Sequence, residues 1–242
     1  MKNYLQTNHL INISDVDVNY NLRLDNMLNC FQDITTFHSF ELGVDRENLV
    51  KNSSAFWVLS KIKVVFNKLP MWNEDATIKT WPTTVSPIRF FREFSISTPS
   101  GAKVDANSEW CVLDANTFAI RRSSSINYPF DMEHIAPNPE MPPFQRIKDS
   151  VDSRNLSYTY NVLHTDIDCN KHTNNVTYAK MILNTFSPTE FACFNVKGLE
   201  INFLNQSYYG DSVDVYKKQV EDGYYIEGKI QDKTIFVSKL YI

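Results

Sequence analysis

The sequence is poor in glycine and cysteine, and it lacks the motifs that these residues build. Only 6 of its 242 residues are glycine, and neither G-x-G-x-x-G nor G-x-x-x-x-G-K-[ST] occurs. A nucleotide cofactor therefore has no recognisable phosphate-binding loop. The 4 cysteines, Cys30, Cys111, Cys169 and Cys193, form no C-x-x-C pair, which argues against a zinc site and against a disulfide framework. We expect no cofactor and no metal.

Long apolar runs and concentrated positive charge are also absent. No run approaches the roughly 18 apolar residues that a membrane-spanning helix needs, and the polar start MKNYLQTNHLINIS is unlike a secretory signal. The net charge is −4 without a dense basic cluster, so nucleic acid is not an expected partner. With 43% hydrophobic residues, the composition is that of an ordinary globular protein. These features predict a soluble, cytoplasmic protein with no membrane span.

What the sequence does contain is an internal repeat. Residues 15–21 read DVDVNYN and residues 166–172 read DIDCNKH, and both fit D-[VI]-D-x-N-x-[NH]. A second match in the same order pairs IKVVFNKLPMWNEDATI (62–78) with LEINFLNQSYYGDSVDV (199–215), without a gap. Apolar residues alternate with others at the start of both, as in a strand with one buried face. Two ordered matches predict two copies of one structural unit.

Each copy combines one helix with several strands. Apolar residues recur at helical spacing in both. They are Leu24, Met27, Leu28, Phe31, Ile34 and Phe37 in the first copy, and Val176, Ala179, Ile182, Leu183 and Phe186 in the second. The first helix should end near Gly43. Asn174 or Asn175 should cap the second, and Pro188 should close it. Strand-like runs then follow at 90–98, 108–114, 224–230 and 234–242.

A proline-rich stretch separates the two copies. Five of the ten prolines lie within 123–150, and proline lacks the N–H group that pairing in a sheet requires. We therefore divide the chain into an N-terminal unit (1–122), a connector (123–150) and a C-terminal unit (151–242). A helix with a wide apolar face followed by antiparallel strands predicts an α+β unit whose sheet wraps the helix. The two sheets could join edge to edge, which would hide two exposed strand edges.

The second copy of the short motif carries the residues best suited to acyl-transfer chemistry. In an extended chain, Asp168, Asn170 and His172 share one face, and the run leads into the predicted helix start. Unpaired N–H groups at a helix start favour developing negative charge, as at an oxyanion. Histidine titrates near neutral pH and so suits a general base. The plainer alternative is a polar turn with a capping residue and a surface histidine.

The two copies of the motif differ at the position that matters for proton transfer. The first copy has Asn21 where the second has His172, so only the second carries a titrating imidazole. This asymmetry favours an enzyme site in the second unit. Cys169 also lies within the motif, and thiols attack thioesters. Strand alternation turns Cys169 away from His172, so we interpret it as a structural residue.

These residues resemble a known family, the acyl-acyl carrier protein (acyl-ACP) thioesterases. The run DIDCNKHTNNVTYAKMIL (166–183) is similar to the family's D-x-D-x-N-x-H-x-N-N-x-x-Y motif. Further similar stretches follow in the family's order: WVLSKIKVVFNKLPMWNEDATIKTW (57–81), FFREF (90–94), SEWCVLDANTFAIRR (108–122) and FLNQSYYGDSV (203–213). The resemblance implies a double hot-dog fold, two tandem helix-wrapped antiparallel sheets. It also implies hydrolysis of fatty acyl-ACP thioesters to free fatty acids in fatty acid biosynthesis.

The resemblance assigns roles to individual residues. The family's catalytic aspartate, asparagine and histidine fall on Asp168, Asn170 and His172. Its further acidic residue falls on Gln206, which departs from the pattern because glutamine cannot ionise. This departure makes Asp168 the stronger candidate for the base or the nucleophile. Gln206 could hold water or the imidazole by hydrogen bonds, or it could be an ordinary polar residue at a strand end. General-base attack by water and a covalent aspartyl intermediate would use the same residues, and both stay open.

The implied substrate needs an apolar slot and a docking surface. Our candidates for binding the acyl chain are Phe37, Trp57 and Met71, with a purely structural role in the core as the alternative. ACP is typically acidic, whereas this chain is itself net negative, so docking to ACP requires a local basic patch. Four arginines could form that patch: Arg89, Arg92, Arg121 and Arg122. A homodimer is a possible assembly.

Two other functions fit the same features less closely. The chain could be an acyl-CoA thioesterase or a hydratase of enoyl thioesters on the same fold, or a domain that binds acyl groups without turnover. Release of free acid separates a thioesterase from a hydratase, and any turnover excludes the binding module.

Overall fold

A computed structural model of the protein describes residues 3–242, and its centre is one continuous antiparallel sheet. The strands, in chain order, are β1 Leu5–Leu10, β2 Ala55–Lys68, β3 Asp75–Val85, β4 Phe90–Ser97, β5 Lys103–Asp114, β6 Leu156–Asn161, β7 Gly198–Phe203, β8 Ser212–Val220, β9 Gly223–Ile230 and β10 Lys233–Tyr241. Within the same residues, the helices are α1 Leu24–Glu41, α2 Arg46–Ser53, α3 Asn175–Leu183 and α4 Pro188–Ala192. The predicted α+β class is confirmed.

The order of the strands shows two copies of one unit, joined edge to edge. The order is β1-β3-β4-β5-β2-β7-β10-β9-β8-β6, so the last five strands repeat the connectivity of the first five about the β2–β7 seam. β2 and β7 pair antiparallel, with Lys63 opposite Glu200. These two residues occupy the same position in the internal repeat, so a pseudo-two-fold axis passes between them. The predictions of two copies and of joined sheets are confirmed, and the seam hides two strand edges.

Alternation along the strands puts one face of the sheet against the helices. Ile62 and Val64 on β2 and Leu199 and Ile201 on β7 are buried in one continuous apolar core. The buried faces of α1 and α3 belong to the same core, and α1 also contacts α3. The helices of the two copies therefore lie next to each other on one side of the sheet, where residues from both copies can meet.

The opposite face of the seam carries a buried ion pair. Lys63 Nζ lies 3.1 Å from Glu200 Oε2, and the two side chains are 3% and 0% exposed. The proline-rich connector supplies further partners. Pro143 O accepts a hydrogen bond from Lys63 Nζ (2.9 Å), and Gln145 N donates to Glu200 Oε1 (2.9 Å). Buried charges need such partners, because an unpaired charge in the interior is costly. The boundaries of the two units at 122 and 151 stay a prediction.

The buried face of α1 departs from the predicted stripe near its end. Phe37 is 67% exposed, whereas Thr35 and His38 are buried. An α-helix repeats every 3.6 residues, so the face that starts at Phe31 passes through residues 35 and 38 and leaves residue 37 to one side. Placing Phe37 in the apolar stripe is therefore wrong.

The sequence pattern does not predict α2. It also predicts the wrong role for Pro188. Asp45 caps α2 by accepting from Glu47 N and Asn48 N, and Ser54 ends it with a left-handed backbone (φ 47°). An aspartate with a glutamate in the following turn is a helix-start signal that could have identified α2. Pro188 does not close α3. It begins α4, where a missing N–H costs nothing.

No helix within residues 3–242 is both long and apolar enough to cross a membrane. The same residues contain no group of three or more His, Cys, Asp or Glu side chains placed to hold a metal ion.

Candidate active site

The segment from Asp168 to His172 is a closed turn, not the extended run that its alternating pattern suggests. Asp168 N donates to His172 O (3.0 Å), and Lys171 N donates to Asp168 O (3.0 Å). Lys171 has a left-handed backbone (φ 66°), which lets the chain reverse direction. The turn itself brings the polar side chains together, so alternation along a strand is the wrong reason for their proximity.

Asn170 and His172 both lie beside the carboxylate of Asp168. Asp168 Oδ1 accepts from Asn170 N (2.8 Å), and Oδ2 accepts from Asn170 Nδ2 (3.3 Å). His172 Nδ1 lies 3.7 Å from Asp168 Oδ1 and 3.3 Å from Thr173 O. Because a carbonyl oxygen can only accept, a hydrogen bond to Thr173 O requires the proton on Nδ1. That tautomer leaves His172 Nε2 with a lone pair that can take a proton.

A buried hydroxyl cluster anchors the turn to the chain that follows β7. Thr173 N donates to Ser207 O (2.9 Å), and the hydroxyl oxygens of these two residues are 2.7 Å apart. Tyr178 OH lies 3.0 Å from Ser207 Oγ and accepts from Ser207 N (3.1 Å). Burial raises the pKa of the Tyr178 phenol, which keeps its proton available for hydrogen bonding. The sequence analysis missed this cluster, which holds the neighbouring Gln206 next to the motif.

The helix start behind the turn is capped. Asn174 Oδ1 accepts from Val176 N (2.9 Å), which confirms the predicted cap. The carboxylate of Asp166 in turn accepts from Tyr160 OH (2.9 Å) and Leu163 N (2.8 Å). Burial, with Asp166 as a further cause, raises the pKa of Tyr160 to about 12. The Val176 N–H group, one of those at the helix start that could bind an oxyanion, already donates to Asn174. For this part of the segment, the structure is therefore the plainer alternative, a turn followed by a helix cap.

The motif lines a cavity between the two copies, with a volume of about 500 Å³. From the C-terminal copy, the cavity is lined by Asp168, Cys169, Asn170, His172 and Gln206. From the first copy, β2 and β5 contribute aromatic and aliphatic residues, and α1 contributes polar ones. The apolar residues are Phe56, Trp57, Val58, Leu59, Trp110 and Leu113. A polar, titratable group and an apolar wall therefore share one space.

An arginine from the first copy reaches the motif, which the sequence analysis did not anticipate. Arg46 is the first residue of α2, and its Nε donates to Asn170 Oδ1 at 2.6 Å. Arg46 also lines the cavity. Residues from both copies therefore build this site.

The three residues predicted to bind an acyl chain do not lie together. Trp57 lines the cavity and donates from its Nε1 to Val44 O (2.7 Å). Phe37 lies elsewhere on α1 and lines a separate hollow beside β1. Met71 forms a backbone bridge with Asn21 in the first copy. Phe37 and Met71 do not line this cavity, because apolar character alone does not show which side of an element faces it.

Gln206 and Cys169 both lie at the cavity. Gln206 Oε1 accepts from Tyr208 OH (3.1 Å). The Nε2 group of Gln206 can then donate hydrogen bonds to another partner. Cys169 is exposed and lines the cavity. Strand alternation predicts that Cys169 points away from His172, but both residues line this cavity, because the turn sets the direction of the Cys169 side chain.

The arginines considered for docking do not form one free basic patch. Arg89 is paired with Glu109. Arg92 is buried, its guanidinium lies 2.9 Å from His38 Nδ1, and burial lowers its pKa to about 10. Arg121 donates to the backbone carbonyl groups of Ser53 and Ser125. Arg92 therefore cannot meet a partner protein, and the predicted patch is wrong in that respect.

Comparison with known proteins gives two family matches that follow each other along the chain. Residues 2–127 match the model of the acyl-ACP thioesterase N-terminal domain, and residues 149–237 match that of the acyl-ACP thioesterase C-terminal domain. The two matches correspond to the two copies in the sheet.

Curated relatives are similar at low identity. An acyl-[acyl-carrier-protein] hydrolase, FATB1, of Cuphea viscosissima is 24% identical over 181 residues, which cover 67% of this chain and 41% of the relative. The oleoyl-acyl carrier protein thioesterase 2 of Arabidopsis thaliana is 19% identical over 215 residues, covering 83% of this chain and 59% of the relative. The chain thus spans about half the length of the curated relatives it matches.

Solved structures resemble the protein over its whole length. An acyl-ACP thioesterase from Bacteroides thetaiotaomicron superimposes with a TM-score of 0.89 at 24% identity, covering 99% of this chain and 97% of the other. The 12:0-ACP thioesterase from Umbellularia californica gives a TM-score of 0.80 at 14% identity, covering 100% and 97%. At these identities the likeness establishes the fold, and the predicted double hot-dog architecture is confirmed.

Proposed function

Because this chain belongs to the acyl-ACP thioesterase family, we propose that it hydrolyses fatty acyl-ACP thioesters and releases free fatty acid. The observation that carries the proposal is the shared cavity, which is lined both by Asp168, Asn170 and His172 and by aromatic residues of the first copy. A fatty acyl thioester offers matching surfaces, a polar reacting carbonyl and an apolar chain. Of the three residues predicted to bind the acyl chain, Trp57 lines this cavity.

We assign the role of general base to His172. With Nδ1 engaged by Thr173 O, Nε2 is the nitrogen that accepts a proton from water. The water oxygen bonds to the thioester carbon, and the carbonyl electrons move onto oxygen to give a tetrahedral anion. When the anion collapses, the C–S bond breaks and the imidazolium returns the proton to the leaving thiolate. Water thus supplies its hydroxyl to the acid and its proton to the thiol.

In this mechanism Asp168 supports the base and does not attack. Both of its oxygens already accept from Asn170, and Oδ1 lies 3.7 Å from His172 Nδ1. A carboxylate at that distance stabilises the imidazolium that forms as the proton moves. These contacts favour direct attack by water over a covalent aspartyl intermediate.

Gln206 stands where the family has an acidic residue, and its chemistry limits its role. A glutamine amide cannot ionise, but it can donate two hydrogen bonds. Its Oε1 is engaged by Tyr208, so Nε2 is available toward the cavity. We propose that Gln206 donates to the thioester carbonyl or to the attacking water.

ACP as the carrier follows from the family and from relatives that are named acyl-ACP hydrolases. A cytoplasmic location and a homodimer stay predictions from the sequence.

The test is release of free fatty acid by the purified protein from acyl-ACP, across several chain lengths and with acyl-CoA in parallel. We expect release from acyl-ACP, and His172→Ala should lower kcat by about 10²–10⁴-fold, the usual contribution of a general base. His164→Ala is the matched control, because His164 is an exposed histidine of the same copy that does not line the cavity. A wild-type protein that releases no acid, or a His172→Ala variant as active as wild type, would contradict the proposal.

A further inference from the structure

We propose that Arg46 is a positioning residue of the active site, which holds the Asn170 amide and so connects the first copy to the motif of the second. Its Nε lies 2.6 Å from Asn170 Oδ1, across 124 positions of sequence. The effect on turnover rests on the proposed function, whereas the effect on the amide itself does not. The pair is a direct side-chain contact between the two copies at the cavity.

The direction of the hydrogen bonds fixes the orientation of the amide. A guanidinium has only donors, so the oxygen of the Asn170 amide must face Arg46. The NH₂ group of the same amide then faces Asp168 Oδ2, at 3.3 Å, and a carboxylate can accept from it. Arg46, Asn170 and Asp168 therefore form one chain of hydrogen bonds with a single direction, and such chains strengthen each member.

Arg46 reaches the turn from a rigid element. The helix that begins at Arg46 is capped by Asp45, which accepts from two backbone N–H groups of the first turn. Leu49 on the same helix is 2% exposed and belongs to a small apolar cluster that also contains Val44 and packs against Trp57. The backbone of Arg46 is thus held in place by capping and packing, so the exposed side chain of Arg46 extends toward Asn170 from a fixed point.

The hydrogen bond from Arg46 holds Asn170 in place although Asn170 is exposed to solvent. Asn170 is an exposed residue, and the bonds that Asp168 receives from it close the turn that carries His172. If Arg46 is removed, Asn170 loses its outer partner and the carboxylate beside His172 is held less firmly. Misplacement of a catalytic group by about 1 Å can cost on the order of 100-fold in rate. The loss should appear in kcat more than in KM, since Arg46 acts through Asn170.

The first arm of the test observes the amide directly. In ¹⁵N-labelled protein, the side-chain NH₂ resonances of Asn170 are assigned by their disappearance in Asn170→Ala. We expect these resonances to shift and broaden in Arg46→Ala. They should stay unchanged in Lys51→Ala, which removes an exposed cation from the same helix away from the cavity. An Asn170 amide that does not respond to Arg46→Ala overturns the inference, whether or not the protein turns over acyl-ACP.

The second arm is a double-mutant cycle on free fatty acid release. Arg46→Ala should lower kcat by about 10–100-fold with KM changed less than about 3-fold. In the Asn170→Ala background, the same substitution should change kcat by less than about 2-fold, because its target is gone. Arg46→Lys should recover little, since lysine keeps the charge but not the planar donor.

Each outcome of the cycle has one meaning. Additive losses in kcat, or full recovery by Arg46→Lys, would overturn the role of Arg46 as a positioning residue for Asn170. A wild-type protein without turnover would instead overturn the proposed function, and the resonances of the amide would still decide whether Arg46 holds Asn170.

Discussion

The two turns that carry the D-x-D-x-N motif share a backbone and differ in their side chains. In the first turn Asp17 N donates to Asn21 O at 2.8 Å, and in the second Asp168 N donates to His172 O at 3.0 Å. The residue before the last in each motif has a left-handed backbone, with φ of 62° and 66°. The motif therefore encodes the same turn twice.

What differs is the surroundings of each turn. In the first copy Tyr20 packs against Trp72, with ring centroids 5.9 Å apart. In the second copy the turn lines the cavity and receives Arg46 from the other copy. A shared turn becomes a candidate site through one replacement, histidine for asparagine, and through the cavity beside it.

The seam between the copies shows a second consequence of duplication. Lys63 and Glu200 are equivalent positions that face each other across the pseudo-two-fold axis and form a buried ion pair. In a symmetric dimer of one such unit, equivalent positions would carry identical residues, and two like charges would face each other. Fusion of the copies in one chain allows opposite charges to meet at this position.

The largest effect is expected from removing the difference between the turns. His172→Asn gives the second turn the residue of the first and should lower kcat for free fatty acid release by about 10²–10⁴-fold. The thermal midpoint should change little, because asparagine already occupies this position in the first turn. Steady-state kinetics with acyl-ACP and a thermal melt measure both effects. A large loss of stability together with activity would mean that the histidine is structural.

The next effect concerns the pair at the seam. Lys63→Ala leaves the Glu200 carboxylate buried without its cation, so the free energy of unfolding should fall by about 3–5 kcal/mol in a denaturant titration. Lys103→Ala is the matched control, because Lys103 pairs with Asp105 at 3.1 Å but is half exposed. That control should lose less than about 1 kcal/mol. Equal losses in the free energy of unfolding of the two variants would show that burial of the ion pair at the seam adds nothing to stability.

The smallest expected effect is on stability, and it distinguishes Tyr20 from Lys171, the left-handed residues of the two turns. Lys171→Gly should raise the free energy of unfolding by about 0.5–1 kcal/mol, because glycine adopts positive φ without strain and the lysine side chain is exposed. Tyr20→Gly relieves the same strain but loses the contact with Trp72, so its net effect should be zero or destabilising. Denaturant titration of both variants measures the difference. A destabilised Lys171→Gly would show that Lys171 makes a contact that the turn requires.

Much of the fold could be predicted from the sequence because it depends on local or repeating patterns. The alternation at Ile62 and Val64, matched at Leu199 and Ile201, indicated the two strands of the seam, and these strands pair with each other. The two motifs at Asp15 and Asp166 marked the same turn in each copy. Such a pattern identifies the buried face of a helix or strand when its apolar residues recur with one constant spacing.

The parts of the site that were missed depend on polar contacts between distant residues. Arg46 and Asn170 meet across the two copies, and Ser207 meets Thr173 and Tyr178 in a buried cluster. Neither contact leaves a periodic signal, since each depends on how separate elements pack. For the same reason, the turn residues were recognised as a candidate site, but the reason given for their proximity was wrong.

Exchange of residues between the two turns tests most directly whether the imidazole of the second turn is the base in thioester hydrolysis. The variant Asn21→His/His172→Asn keeps the composition and both turns but moves the imidazole to the first copy. We predict that this variant melts like wild type and releases free fatty acid from acyl-ACP at about 1% of the wild-type rate or less. A folded exchange variant that releases acid at the wild-type rate would contradict the account.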